Sequence, residues 1–434
     1  MNGAGEHDDF HWFVGIDWGT AEHEVETADV ADSVVETRTV KHTGAGLAEC
    51  LDWLTTVSDG QLGRIAVGIE VPRGALVELL LERGAAVFAV NPKQLDRFRD
   101  RFSVAGAKDD RLDAHVLRRT VQTDRALFRR LELDEPLVIR VRELTRASTV
   151  LQDEFQALAN RLRELVHRIA PEWLSLSPNA DDGWFWTLLE WCATSEGARV
   201  PRRKKVENLL NAHRIRRVSV DHVLTVLERP LLAVAPGTIE AVTGHIQLVL
   251  PRLRVVQDQW RACEHELAAV LAELRMTPPP SPPAAGAASS PSAAPSASAP
   301  NDVAILESLP GVGLGVASSL IADATPLLRW RDYEGLRAIT GVAPVRRQTG
   351  KDKRGQVVMR YACNGRLRNA CYHFARVSTQ VDAGARQYYA ALRARGHSHG
   401  RALRSVADRW LRILIAMLKT GTLYDPSRFA IAGG

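Results

Sequence analysis

The stretch Phe13-Val14-Gly15-Ile16-Asp17-Trp18-Gly19 decides the fold when it is read with Val67-Gly68-Ile69-Glu70 and Lys108-Asp109-Asp110-Arg111-Leu112-Asp113-Ala114. Two of these acids, Asp17 and Glu70, end apolar, β-branched runs (Phe13 to Ile16 and Ile65 to Ile69) that read as buried strands. The other two, Asp110 and Asp113, stand three apart on an expected helix and so face the same way. Four carboxylates on three elements are too many to bury unless positive charge sits among them. Hard cations take oxygen ligands, which makes a pair of Mg2+ ions the first candidate. Two metals about 3.5–4 Å apart are a common apparatus for displacing a phosphodiester. Taken singly, an acid at a strand end is more often a solvated turn residue than a ligand. It is the order of the elements that gives these four a common reading.

Working outward, the patterning predicts strands over 13–20, 23–31 and 34–42, a helix over 46–57, a strand over 64–71, a helix over 74–84 and a strand over 86–91. Helices near 92–100 and 109–122 follow. Three strands in meander, then helix–strand–helix–strand–helix, is the ribonuclease-H-like order. Metal acids in that fold sit on the first strand, the fourth strand and the last helix, where Asp17, Glu70 and the Asp110/Asp113 pair fall.

On these residues the chain resembles the DEDD-type transposases of bacterial insertion sequences, a group described as bridge-RNA-guided recombinases. Their first domain is similar to the RuvC-type Holliday-junction resolvases. The matching segments are Gly15-Ile16-Asp17, Gly68-Ile69-Glu70, Val90-Asn91-Pro92 and Lys108 to Ala114, and the likeness resumes from Leu309 to Pro426. The resemblance implies that Asp17, Glu70, Asp110 and Asp113 are the D, E, D and D that hold the metal.

Bulk properties bound the rest. With 434 residues, 45% of them hydrophobic, the chain buries ample core and suggests two to four domains. A net charge of +5 permits nucleic acid without requiring it. The five cysteines form no CxxC, which supports neither a disulfide framework nor a zinc site. No signal peptide and no membrane span are read, so a cytoplasmic protein is expected.

Beyond the first domain (1–130) the period changes. Asp134-Glu135-Pro136 starts a helix in which Leu137, Leu144, Leu151, Leu158 and Leu165 recur every seven residues. A second run from Ile239 to Leu274 alternates steps of three and four, with Pro251 expected to kink it. This helical domain (131–276) is either two antiparallel helices within one chain or a coiled coil that builds a dimer or tetramer. Between the runs, Trp173, Trp184, Trp186 and Trp191 read as core rather than base-stacking platforms. The run Arg202-Arg203-Lys204-Lys205 reads as a solvated face that could touch phosphate. Residues 277–301, almost wholly Pro, Ala, Ser and Gly in 277–300, read as a disordered linker.

The last domain (302–434) opens on Leu309-Pro310-Gly311-Val312-Gly313 between two helices, a helix-hairpin-helix signature whose Gly311 and Gly313 let amides approach phosphate. An ordinary helix–turn–helix corner is the plainer alternative. From Gly341 to Arg376 there are nine Lys or Arg against one acid, Asp352. A solvated face usually mixes signs, so Arg346, Arg347, Lys351, Lys353, Arg354 and Arg360 are assigned to nucleic acid. In the resembled family this loop carries a serine nucleophile before Gly-Lys; here Thr349 stands in its place. Its extra methyl crowds an in-line attack. Three readings stay open: a working nucleophile, a weakened one, and a copy dead in joining that still binds.

The expectation is α/β plus α architecture, with a ribonuclease-H-like first domain, and a recombinase acting on element-end and target DNA. The resemblance adds a structured noncoding RNA as guide. Alternatives are a structure-selective nuclease using water, a non-catalytic nucleic-acid-binding descendant, and a sugar- or acetate-kinase-like ATPase. The last is disfavoured, because no further glycine-rich phosphate loops follow Gly15 to Thr20.

Overall fold

The computed structural model describes residues 9–101, 109–194, 197–198, 200–277, 300–347 and 356–429. The chain forms two compact units, divided between Glu135 and Pro136. In unit 1, β1 (Trp12–Trp18), β2 (Glu22–Asp29) and β3 (Val34–Lys41) lead into α1 (Gly44–Val57), β4 (Ile65–Ile69), α2 (Ala75–Glu82), β5 (Ala86–Ala89), α3 (Pro92–Arg99), α4 (Asp110–Asp124) and β6 (Arg129–Arg130). The sheet order is β3-β2-β1-β4-β5-β6. Strands β1, β4 and β5 run parallel, while β2, β3 and β6 join antiparallel. It is a mixed sheet with helices on both faces. Strand β6 is an addition to what the patterning predicted.

Alternation divides the strands between two cores. Val14 and Ile16 join Val67, Ile69 and Val87 under α1 and α2. Phe13, Ala66 and Phe88 face the other way and pack with Val116, Leu117 and Val121 of α4. Parallel strands buried on both faces require such continuous apolar runs.

Unit 2 is mostly helical. Its elements are α5 (Pro136–Ile169), α6 (Gly183–Cys192), the short strands β7 (Ala193–Thr194) and β8 (Gly197–Ala198), α7 (Arg203–Ala212), α8 (Val220–Leu227) and α9 (Thr238–Met276). Then come α10 (Asp302–Glu307), α11 (Leu314–Arg329), α12 (Tyr333–Ile339), β9 (Val345–Arg347), β10 (Gln356–Val358), α13 (Gly365–Val381), α14 (Ala383–Ala394) and α15 (His399–Thr420). Helices α5 and α9 pack along each other, and α9 continues through Pro251. One core combines Phe155, Leu158 and Leu162 of α5 with Trp173, Trp184 and Trp186 and with Ile246 and Leu253 of α9. The other combines Val138 and Val141 of α5 and Leu267 to Leu274 of α9 with Leu320, Phe374, Leu403 and Trp410. The sequence-expected domains 131–276 and 302–434 therefore share a core. Residues 278–299 lie outside the described residues. Among those described, no helix is long and apolar enough to cross a membrane.

Candidate active site

Gly15 and Gly68 are register partners on adjacent parallel strands. A β-carbon on Gly15 would lie 1.9 Å from the carbonyl oxygen of Ala114, and one on Gly68 2.7 Å from that of Leu117. The two glycines form a bare floor on which the α4 backbone rests directly. Asp17 follows Gly15 by two residues and Glu70 follows Gly68 by two, which returns each acid toward the α4 side. The first turn of α4 carries Asp110 and Asp113. Asp109 caps that turn, accepting from the Arg111 amide at 3.1 Å, and acids there are favoured by the helix dipole.

These elements enclose a cavity of about 580 Å³ lined by Asp17, Glu70, Asp110 and Asp113 together with Glu22, Glu24, Asp96 and Arg99. Asp113 is 2% exposed. Its partner is Arg99 of α3, whose Nε donates to Asp113 Oδ1 at 2.6 Å and whose Nη1 donates to Asp96 at 2.8 Å. The bond to Asp113 pushes the Arg99 guanidinium further up. Arg99 thus supplies cationic charge among the acids.

A second acidic row lies on β2. Glu24 is the register partner of Asp17. Thr39 Oγ1 donates to Glu24 Oε1 at 2.6 Å. Glu24 Oε2 is buried and lacks a hydrogen-bond partner among the described residues, with Arg111 Nε 3.8 Å away. Two residues on, buried Glu26 accepts from Arg118 Nε at 2.6 Å and meets His115 Nδ1 at 2.9 Å. Arg118, 1% exposed, also pairs with Asp32. Burial pushes Asp32 up, but Arg118 and Arg119 outweigh it and hold its carboxyl below the usual range.

A divalent ion implied by the acids was tested against this geometry. The lining donors are carboxylate oxygens, which suit a hard cation, and Glu24 Oε2 is a buried oxygen with an unused acceptor site. The donor chemistry fits. The side chains are gathered without being closed on a point: among the described residues no three His, Cys, Asp or Glu converge tightly enough to hold an ion as they stand.

Glu22, Glu24, Asp96 and Arg99 were not singled out in the sequence. The alternation Glu22-x-Glu24-x-Glu26 was the available signal, since period two puts all three on one face. Arg99 had no comparable signal, because its partner Asp113 lies on another element.

In unit 2, Gly311 (φ +95°) would place a β-carbon 2.8 Å from the Ser378 amide nitrogen, so it is required by contact with α13. Gly313 is exposed and opens α11. Arg346 and Arg347 lie in β9, paired with Val357 and Gln356 of β10. Arg360 keeps its Nε buried without a hydrogen-bond partner among the described residues. Thr349, Lys351, Lys353 and Arg354 lie outside the described residues. The basic run at 202–205 is tied locally: Arg203 pairs with Asp221 and Lys204 with Glu207.

Two family models match the chain. Residues 14–171 match a DEDD transposase model of the IS110 type, and residues 303–390 match the transposase IS116/IS110/IS902 family. Among curated proteins, the candidate transposase y4uE of Sinorhizobium fredii is 42% identical over 216 residues, which is 50% of this chain and 60% of that protein. The candidate mini-circle transposase for IS117 of Streptomyces coelicolor is 29% identical over 425 residues, 96% of each chain. The insertion element IS110 43.6 kDa protein of the same organism, uncharacterized by name, is 25% identical over 423 residues and 95% of each chain.

Proposed function

This chain belongs to the IS110 family of DEDD transposases, and we propose that its acidic cavity is the centre of metal-dependent DNA cleavage and rejoining. The observation that carries the reading is that Asp17, Glu70, Asp110 and Asp113 line one cavity. Unit 1 is read as ribonuclease-H-like, with these four acids as the residues that would hold Mg2+, two ions per site. When bound, the metal supplies Lewis-acid polarisation of the scissile phosphate.

The chain's own residues do the remaining work. The bare Gly15/Gly68 floor fixes α4 against the strand ends and so sets the spacing of the acids. Arg99 neutralises Asp113 and holds its carboxylate in one orientation. Thr349 is proposed as the nucleophile. Its Oγ bonds to phosphorus, the bond from phosphorus to the O3′ breaks, and the proton passes to the departing hydroxyl. A second 3′ hydroxyl reverses the step and joins new partners. The basic residues from Arg346 to Arg360, with Gly311 and Gly313 as a helix-hairpin-helix, are proposed to hold DNA. Assembly of protomers through the long helices, and guidance by a noncoding RNA, complete the reading.

The test is a Mg2+-dependent assay on element-end DNA, with and without the flanking transcript, scored for covalent protein–DNA adducts. Asp17→Asn is expected to abolish cleavage, and Thr349→Ala to abolish the adduct. An adduct that persists in Thr349→Ala removes Thr349 from the mechanism. Cleavage that persists without any adduct favours water as nucleophile, which the threonine at this position makes worth testing.

A further inference from the structure

Unit 2 contains a second cavity, of about 490 Å³, lined by residues that include Gly341, Met359, Arg368, Tyr372, Gly400 and Arg404. It lies at the foot of the β9–β10 pair, for Gly341 precedes β9 and Met359 follows β10. The charges around it are unevenly matched. Arg366, in the same lining, is neutralised by Asp323 through bonds of 2.9 and 2.7 Å. Arg404 and Arg368 have no carboxylate partner among the described residues, and Asp153, which also lines the cavity, pairs with neither. Arg404 donates to the sulfur of Met359 at 3.5 Å, a weak acceptor. Burial and the nearby Arg401 both push its guanidinium below its ordinary value.

Arg404 is also placed against the wrong end of a helix. Its Nη1 lies 3.6 Å from where a β-carbon on Gly400 would be, at the start of α15. That helix has no acid in its first turn, and its N-cap residue, Ser398, makes no side-chain capping bond. The first amides of a helix carry partial positive charge that favours an anion and repels a cation. A half-buried guanidinium, uncapped amides and an exposed second arginine therefore share one cavity whose lining carboxylate, Asp153, forms an ion pair with neither arginine. Such a grouping costs stability unless a negative group enters.

We infer that this cavity binds a phosphate of a nucleic-acid backbone, gripped by Arg404 and the first-turn amides of α15, with Arg368 at the edge. A guanidinium fork beside helix amides matches phosphate geometry. Nucleic acid as the source rests on the transposase reading; the phosphate chemistry does not. Thr349 lies in the chain between β9 and β10, so the proposed contact flanks, in sequence, the stretch that carries it.

Fluorescence anisotropy of the full-length protein in EDTA, with a labelled oligodeoxynucleotide and its RNA counterpart, tests this at several salt concentrations. Arg404→Gln should weaken binding several-fold and reduce the slope of log affinity against log salt by about 0.7–0.9, the loss of one phosphate contact. Arg404→Lys should keep most of the slope. Gly400→Asp should raise the melting temperature, by supplying the missing first-turn acid, and weaken binding all the same. Arg168→Gln, an exposed site on α5, should change neither. The arm that shows the loss identifies DNA, RNA or both as the source. Unchanged affinity and slope for Arg404→Gln and Gly400→Asp in both arms would overturn the inference. EDTA silences metal chemistry, so a failure of the catalytic reading leaves this result standing, and the converse also holds.

Discussion

At position 15 a methyl group has nowhere to go, because the atom it meets is the backbone oxygen of Ala114 rather than a side chain that could swing away. Gly15→Ala should therefore cost at least about 1–3 kcal/mol, the range for overpacking, read as a lower urea midpoint for unit 1. Arg99 gives a second expectation. Arg99→Gln leaves Asp113 buried and unpaired, which should cost about 3–5 kcal/mol without metal. Added Mn2+ should recover more melting temperature in this variant than in the parent protein. His23 gives a pH dependence. It is fully buried, its Nδ1 accepts from the Gly19 amide at 3.3 Å, and its Nε2 meets His42 Nδ1 at 2.9 Å. Burial, then His42, lowers its pKa from 6.5. The unfolded chain thus binds a proton that the folded one refuses, so stability falls as pH drops below about 6.5. Stability measured from pH 7 to pH 5 should lose part of this slope in His23→Gln.

At the scale of elements, the meander and the strands after it were readable, because alternating β-branched residues and well-placed glycines encode them locally. The strand expected over 64–71 is Ile65–Ile69, and the strand expected over 86–91 is Ala86–Ala89. What was not readable is how helices meet. Leu144 and Leu158 belong to the same seven-residue row of α5, yet Leu158 sits in one core beside Leu162, which is 0% exposed, and Leu144 packs at the margin of another. Leu162→Ala should cost about 2–5 kcal/mol and Leu144→Ala clearly less, by chemical denaturation. Asp17 and Glu70 could be picked out because each ends an apolar run. Their shared cavity with α4 depends on the glycine floor, whose partners lie far apart in sequence. Arg99 stayed hidden because its role is set by Asp113 on another element, whereas Glu24 carried the period-two signal of β2 but no local sign of the cavity it lines.

For the molecule as a whole, the division after Glu135 and the core shared across residues 278–299 make a calorimetric prediction. Two unfolding transitions are expected. Leu271→Ala on α9 and Leu411→Ala on α15 should lower the same one, although a proline-rich stretch separates them in the chain, while Gly68→Ala should lower the other. If Leu271→Ala and Leu411→Ala moved different transitions, the shared core would not be a cooperative unit.

The touching glycines carry a consequence for how such chains diversify. A backbone obstruction cannot be relieved by trimming a neighbour, so neither position has a compensating partner through which drift could proceed. Gly15-x-Asp17 and Gly68-x-Glu70 therefore behave as one heritable signature written in two places. A distant cousin that keeps one half and has lost the other should be expected to seat its helix differently, and with it the acids.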